Sequence, residues 1–226
     1  MGPALRRAMG APPGAHEPPR ARDSLLMNRT RLRIFQALCN SPCLTVRELS
    51  RAVGVRAPAV LWHLRKMTSR GLVARSRIPG RAAYHPAGVL DEEDLRLLSV
   101  INSDGRAGVV RAVLERPGMT QRELTAEARC SGHTLRRLVS GGALDAVRDG
   151  RQRRYYPSAL LKQRREAFER RSRRFRQLLL TRLAEEGLGP ELAARESWQL
   201  EVRVRVGSRT EVLRFLRSPY YFERRE

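Results

Sequence analysis

The sequence predicts a mostly α fold with small β hairpins, in which one module occurs twice and a C-terminal extension follows. Three observations predict it. Apolar residues recur at helical spacing in short blocks. Each third block is followed by two strand-like runs around a turn. The order of these signals in the first half of the chain then returns in the second half, as it does when one module is used twice.

The elements follow in order. Residues 1–22 carry Pro3, Pro12, Pro13, Pro18 and Pro19 among Ala, Gly and Arg, which predicts a disordered basic tail. The first module is expected over residues 23–90. Leu32, Phe35, Leu38 and Cys39 form one helical stripe that Ser41-Pro42 ends. Thr45-Val46-Arg47-Glu48 reads as a capping box, opening a short helix with Val46, Leu49 and Val53 inside. Gly54 marks a sharp turn. A third helix is expected from about Ala57 to Arg70, with Pro58 in its first turn, Val60, Leu64 and Met67 buried, and Gly71 as its stop. Leu72–Arg77, Pro79-Gly80 and Arg81–His85 then read as a hairpin with a basic tip. Three helices and a basic hairpin is the order of a winged helix-turn-helix.

The order returns over residues 105–158. Val110, Val113 and Leu114 open it, Thr120-Gln121-Arg122-Glu123-Leu124 repeats Thr45-Val46-Arg47-Glu48-Leu49, and Leu135, Leu138 and Val139 line a third helix. Asp149-Gly150 between strand-like runs is a strong hairpin signal. Leu95, Leu98 and Ile101 place a connecting helix within residues 91–104. The extension, residues 159–226, reads as helix–strand–helix. Leu161, Phe168 and Phe175 recur every seven residues in a long basic helix. Leu200, Val202, Val204 and Val206 alternate as a half-buried strand, and a last helix is expected over about Thr210 to Leu216. Phe168, Phe175 and the terminal Tyr220, Tyr221 and Phe222 need a covering surface, which makes the extension the expected dimerising or effector part, while the two modules could instead read adjacent grooves as a pseudo-dimer within one chain.

The charge is the other dominant signal. Lys+Arg number 45 against 23 Asp+Glu, a formal net charge of +22 over 226 residues. A surplus that large draws a protein toward a polyanion. Arg supplies nearly all of it, and its planar fork suits phosphates and guanine edges. Three cysteines, Cys39, Cys43 and Cys130, are too few for a disulfide framework and fit a reducing compartment. No run approaches the ~18 apolar residues of a membrane span. The expectation is a cytoplasmic, nucleoid-associated protein.

Over Thr45 to Pro86 the chain resembles the winged-helix transcriptional regulators of the ArsR and MarR type, the archaeal ones in particular. Thr45-Val46-Arg47-Glu48-Leu49, Val60-Leu61-Trp62-His63-Leu64-Arg65-Lys66 and Gly71-Leu72-Val73 carry the resemblance. The second module carries it less fully, because Gly141-Gly142-Ala143-Leu144 stands at the junction and shortens the third helix. The resemblance implies the fold and double-stranded DNA as partner, and it implies no particular target.

In this fold the third helix enters the major groove and the hairpin follows the backbone or minor groove. Helical geometry sets the outward residues opposite the buried stripe. In the first module these are Pro58, Ala59, Trp62, Arg65, Lys66 and Ser69, with Arg56 just before them. In the second they are His133, Thr134, Arg137 and Ser140, with Arg136 on the flank. Trp62 either packs on sugar or a thymine methyl, or covers the hairpin or neighbouring module. His63 reads as a core-edge histidine with a local hydrogen bond. Arg75, Arg77, Arg81, Arg148, Arg151, Arg153 and Arg154 are candidate phosphate contacts. Neutralising about eight phosphates would give a log–log salt slope near −7.

Other chemistries fit less well. Cys39 and Cys43 lack the further ligands a metal site needs. Asp91, Glu92, Glu93 and Asp94 sit at a helix start, where they complement the dipole. No phosphate loop or hydrolase motif is present, so neither an enzyme nor a cofactor is expected. The alternatives are a non-sequence-specific nucleoid protein, a tandem winged-helix protein-interaction scaffold, and a double-stranded RNA binder.

Overall fold

The computed structural model describes residues 24–78, 81–103, 105–195 and 198–222. The tail expected over residues 1–22 and the Pro79-Gly80 hairpin tip lie outside the described residues. The first unit runs α1 (Arg29–Asn40), α2 (Val46–Val53), α3 (Ala57–Ser69), β1 (Val73–Ile78) and β2 (Arg81–Pro86). Its boundaries follow from capping. The Asn28 side chain accepts from the Arg31 amide, and Ser41 ends α1. At α2 the Glu48 amide donates to Thr45 Oγ1 at 3.3 Å while the Thr45 amide donates to Glu48 Oε2 at 2.7 Å. Gly54, at φ 68°, closes α2 in the left-handed conformation that glycine adopts without strain.

The stripe of α3 is buried as its spacing requires. Val60, Leu64 and Met67 are fully enclosed with Leu32, Leu38 and Leu49. Truncating Leu64 to Ala would cost about 2–5 kcal/mol, the transfer term plus the cavity left behind.

Helix α4 (Glu92–Ile101) leads to a second run of elements. These are α5 (Arg106–Glu115), β3 (Met119–Thr120), α6 (Gln121–Ala128), α7 (Gly132–Ser140), β4 (Leu144–Asp149) and β5 (Gln152–Pro157). Thr120 and Glu123 cap α6 reciprocally, as Thr45 and Glu48 cap α2. Gly150, at φ 58°, turns β4 into β5. The two-residue β3 pairs Met119 with Tyr155, and in the first unit Leu44 bridges Tyr84 at the corresponding place. Helix α7 has 9 residues where α3 has 13, the shortening expected from Gly141-Gly142.

The extension departs from expectation. After α8 (Ala159–Glu185) come β6 (Glu191–Arg195), β7 (Gln199–Val206) and β8 (Arg209–Leu216), an antiparallel sheet of order β6-β7-β8. The segment expected as a last helix, Thr210–Leu216, is therefore a strand. Gly207, at φ 64°, turns the chain, and β8 pairs along all of β7, from Val206↔Arg209 to Gln199↔Leu216. Leu213 and Phe215 then join the buried face beside Val202 and Leu200. Strand β6 was not expected. Its Glu-Leu-Ala-Ala-Arg is built of good helix formers, and pairing with β7 overrides that preference.

The long helix is a strut between two cores. Its Leu161, Phe168 and Phe175 pack into the second unit's core. Leu179 and Leu183, further along, join the first unit's core together with the inner face of β7 and β8. The seven-residue spacing is thus used within the chain. The terminal aromatics are also covered internally. Tyr220 is buried with its ring 6.1 Å from that of Phe168, and the Tyr221 hydroxyl donates to Glu169 at 3.1 Å. The side chains from which a second copy was expected already have partners. The edge of β8 is closed by α1, where Gln36 and Asn40 donate to the Arg214 carbonyl at 2.9 and 3.0 Å.

Candidate nucleic-acid interface

The outer face of α3 is open. Arg56, Pro58, Ala59, Trp62, Arg65 and Lys66 are all exposed, while Val60, Leu64 and Met67 hold the opposite face in the core. Trp62 is 51% exposed, and its ring meets His63 and Lys66 of its own helix. Lys66 Nζ stands 4.3 Å from its ring centroid, a cation–π contact on the outer face of the helix. His63 meets the same indole edge-on at 4.9 Å. The hydrogen bond expected of His63 is not made: its buried Nδ1 has no partner among the described residues. Burial first, and then the Arg31 and Lys66 charges, push its pKa down and keep the ring neutral at pH 7.

Beside this face, β1 presents Arg75 and Arg77, both exposed and two residues apart on one side of the strand. Arg81, on β2, is turned inward instead. It donates to the Ser99 carbonyl at 2.5 Å, contacts Ser103 Oγ, and reaches Glu48 Oε1 at 3.4 Å. It fastens the turn end of the hairpin to α2 and to the C-terminal end of α4.

Helix α7 and the β4–β5 hairpin carry cations as well. His133, Arg136 and Arg137 are exposed on α7. Thr134 is half-buried, its hydroxyl 3.2 Å from that of Ser131, the residue capping α7. Arg148, Arg151 and Arg153 are exposed on the hairpin. Arg154 is held by Asp149 at 2.5 Å and by the Gly118 carbonyl at 3.0 Å. Arg148 lies directly opposite Arg153 across β4 and β5. Like charges in that position repel, and a polyanion lying against them would relieve the repulsion.

Sequence reading missed Arg122. It joins Arg136, Arg151 and Arg153 around a concavity of about 570 Å³ between α6, α7 and β5, and none of the four has an ion-pair partner among the described residues. The repeat held the signal, because Arg122 follows Thr120 as Arg47 follows Thr45. The structure also brings two predicted surfaces together: Arg77 of β1 and Arg137 of α7 border one cleft.

An open third helix flanked by a basic hairpin defines a class, and residues 27–74, from before α1 into β1, match the family described as winged helix-turn-helix DNA-binding. This part of the chain is a winged helix-turn-helix DNA-binding domain. Over 137 residues, 59% of the chain, the sequence is 25% identical to an uncharacterized HTH-type transcriptional regulator of Methanocaldococcus jannaschii. That match spans 34% of the relative's length, so the chain corresponds to about a third of that protein. A stretch covering 59% of this chain includes α5 and α6 wherever it lies, so the likeness extends beyond the first unit. No described helix is long and apolar enough to cross a membrane.

Proposed function

We propose that the chain is a cytoplasmic transcription regulator of the ArsR and MarR type that binds duplex DNA through two winged helix-turn-helix units, residues 23–90 and 105–158. One observation carries the reading. The free face of α3 presents Arg56, Trp62, Arg65 and Lys66 beside Arg75 and Arg77, opposite a fully buried stripe. In this reading α3 lies in the major groove, where Arg65 and Lys66 reach base edges, and Arg75 and Arg77 hold the flanking backbone. The repeated capping box and the repeated strand pairing behind it support a second unit of the same kind. There Arg136, Arg137, Arg148, Arg151 and Arg153 are the outward cations. Arg81 and Arg154 keep the two hairpins in place. Both units lie in one chain, so a pair of half-sites needs no second copy.

The test is selection from a random duplex pool at near-physiological salt, followed by sequencing. Enrichment of a motif with two half-sites about ten base pairs apart is the expected result. Binding without enrichment would instead identify a nucleoid coat, and no binding an interaction scaffold.

A further inference from the structure

We propose that the first hairpin and helix α7 grip the same run of sugar-phosphate backbone, so that one duplex lies along a single continuous face of both units. This rests on the DNA-binding reading above and adds how the two units share their ligand. The cleft between them has a volume of about 950 Å³. Ser76 and Arg77 form one wall, Arg137 and Ser140 the other, and Arg96 and Val100 of α4 lie between.

Both walls are fastened to α4. The hairpin wall is tied through Arg81, whose guanidinium meets the Ser99 carbonyl and Ser103 Oγ. The α7 wall is set by Gly141, which lies directly against Val100. A Cβ on Gly141 would stand 2.6 Å from Val100 Cγ1 and 2.7 Å from Cγ2, so the close approach of α7 to α4 depends on glycine. The width of the cleft is therefore fixed by packing.

Its charge selects the occupant. Arg77 and Arg137 are exposed, both line the cleft, and neither has an ion-pair partner among the described residues. Arg96 is paired with Glu92 at 2.5 Å. Two unpaired guanidinium groups on facing walls are suited to a chain of phosphates, which takes charge-assisted hydrogen bonds from both. The hairpin wall also continues from Arg77 to Arg75 and the face of α3, so a backbone held in the cleft leads on to the first unit's recognition surface.

Calorimetric titration of the full chain with a mixed-sequence duplex of about 16 base pairs, one and a half helical turns, tests this. One duplex per chain is expected. Arg77→Ala and Arg137→Ala should each weaken binding by about two- to fivefold, the effect of losing one exposed charged contact, with unchanged melting midpoints. Two duplexes per chain would overturn the proposal and leave the DNA-binding reading standing. So would an Arg137→Ala chain that binds as tightly as the unsubstituted one while Arg77→Ala weakens. Failure of the unsubstituted chain to bind any duplex would overturn both.

Discussion

Arg164, on α8, holds the carboxylate of Asp94, on α4, with Nε 2.9 Å from Oδ1. Asp94 is fully buried, and the Tyr220 hydroxyl donates to the same oxygen at 2.7 Å. The connecting helix, the long helix and the end of the chain thus converge on one atom. Arg164 also bonds Glu93 at 3.0 Å and contacts Asp91, the residue capping α4. A buried carboxylate is tolerable only when paired and hydrogen-bonded. Here the pairing fixes α4, which carries both walls of the inter-unit cleft.

Removing that carboxylate should therefore be costly. Asp94→Ala leaves Arg164 and the Tyr220 hydroxyl without their shared acceptor, and a loss of about 3 kcal/mol in stability to urea is expected. Arg164 keeps Asp91 and Glu93, so Asp94→Asn, which preserves shape, should lose less. A loss under about 1 kcal/mol for Asp94→Ala, typical of an exposed pair, would show that the network does not hold the fold.

The first unit was legible in the sequence because its signals are local. Thr45 and Glu48 cap one helix between them, Gly54 and Gly71 stop two, and Val60, Leu64 and Met67 show their spacing within one turn or two. What the sequence concealed depends on distant partners. Asp94 reads as part of an acidic helix start until Arg164, 70 residues on, is seen to meet it. Arg81 looks like another hairpin cation until Ser99 and Ser103 come within reach of it. Thr210–Leu216 carries enough leucine and phenylalanine for a helix, and only pairing with β7 fixes it as a strand. The outward faces of α3 and α7 followed from helix geometry, whereas their placement relative to each other did not.

His63 should make the first unit acid-sensitive. Its pKa in the folded chain is pushed down by burial and by Arg31 and Lys66. The unfolded chain therefore takes up the proton first as pH falls. The contribution of neutral His63 to stability is fully present above about pH 6.5, the ordinary histidine value, and is lost as pH falls from there through the lower folded value. Melting midpoints measured between pH 8 and pH 5 should drop more for the unsubstituted chain than for His63→Gln. Equal slopes would exclude the histidine as the cause.

Trp62 should report binding directly. It is half-exposed on α3, and the chain's other tryptophan, Trp198, lies in the C-terminal sheet region. In a Trp198→Phe chain, duplex DNA should change the remaining indole emission. Trp62→Ala should weaken duplex binding while leaving the stability to urea within about 0.5 kcal/mol, as for an exposed substitution. Unchanged emission at saturating duplex would remove α3 from the interface.

The cysteines should be inert in the native chain. Cys39, Cys43 and Cys130 are buried, and burial pushes each thiol up, that of Cys43 to about 12 despite the opposing charge of Arg81. The thiolate is the reactive form. A chromogenic disulfide reagent at pH 8 should label all three after denaturation and react far more slowly with the folded chain. Rapid labelling of one thiol in the native state would identify an opening of the core around it.

Gly141 should behave as a spacer whose fault is repairable. Its φ lies in the ordinary region at −86°, so alanine is not excluded by backbone conformation. The conflict is steric, with Val100 Cγ atoms at 2.6 and 2.7 Å and the Arg137 carbonyl oxygen at 3.0 Å. Gly141→Ala must push α7 from α4, at about 1–3 kcal/mol for an overpacked contact. Val100→Ala vacates the space, so the double substitution should recover part of that loss, and a double-mutant cycle should give a favourable coupling of at least about 0.5 kcal/mol. If the two substitutions add independently, the approach of α7 to α4 is not governed by this contact.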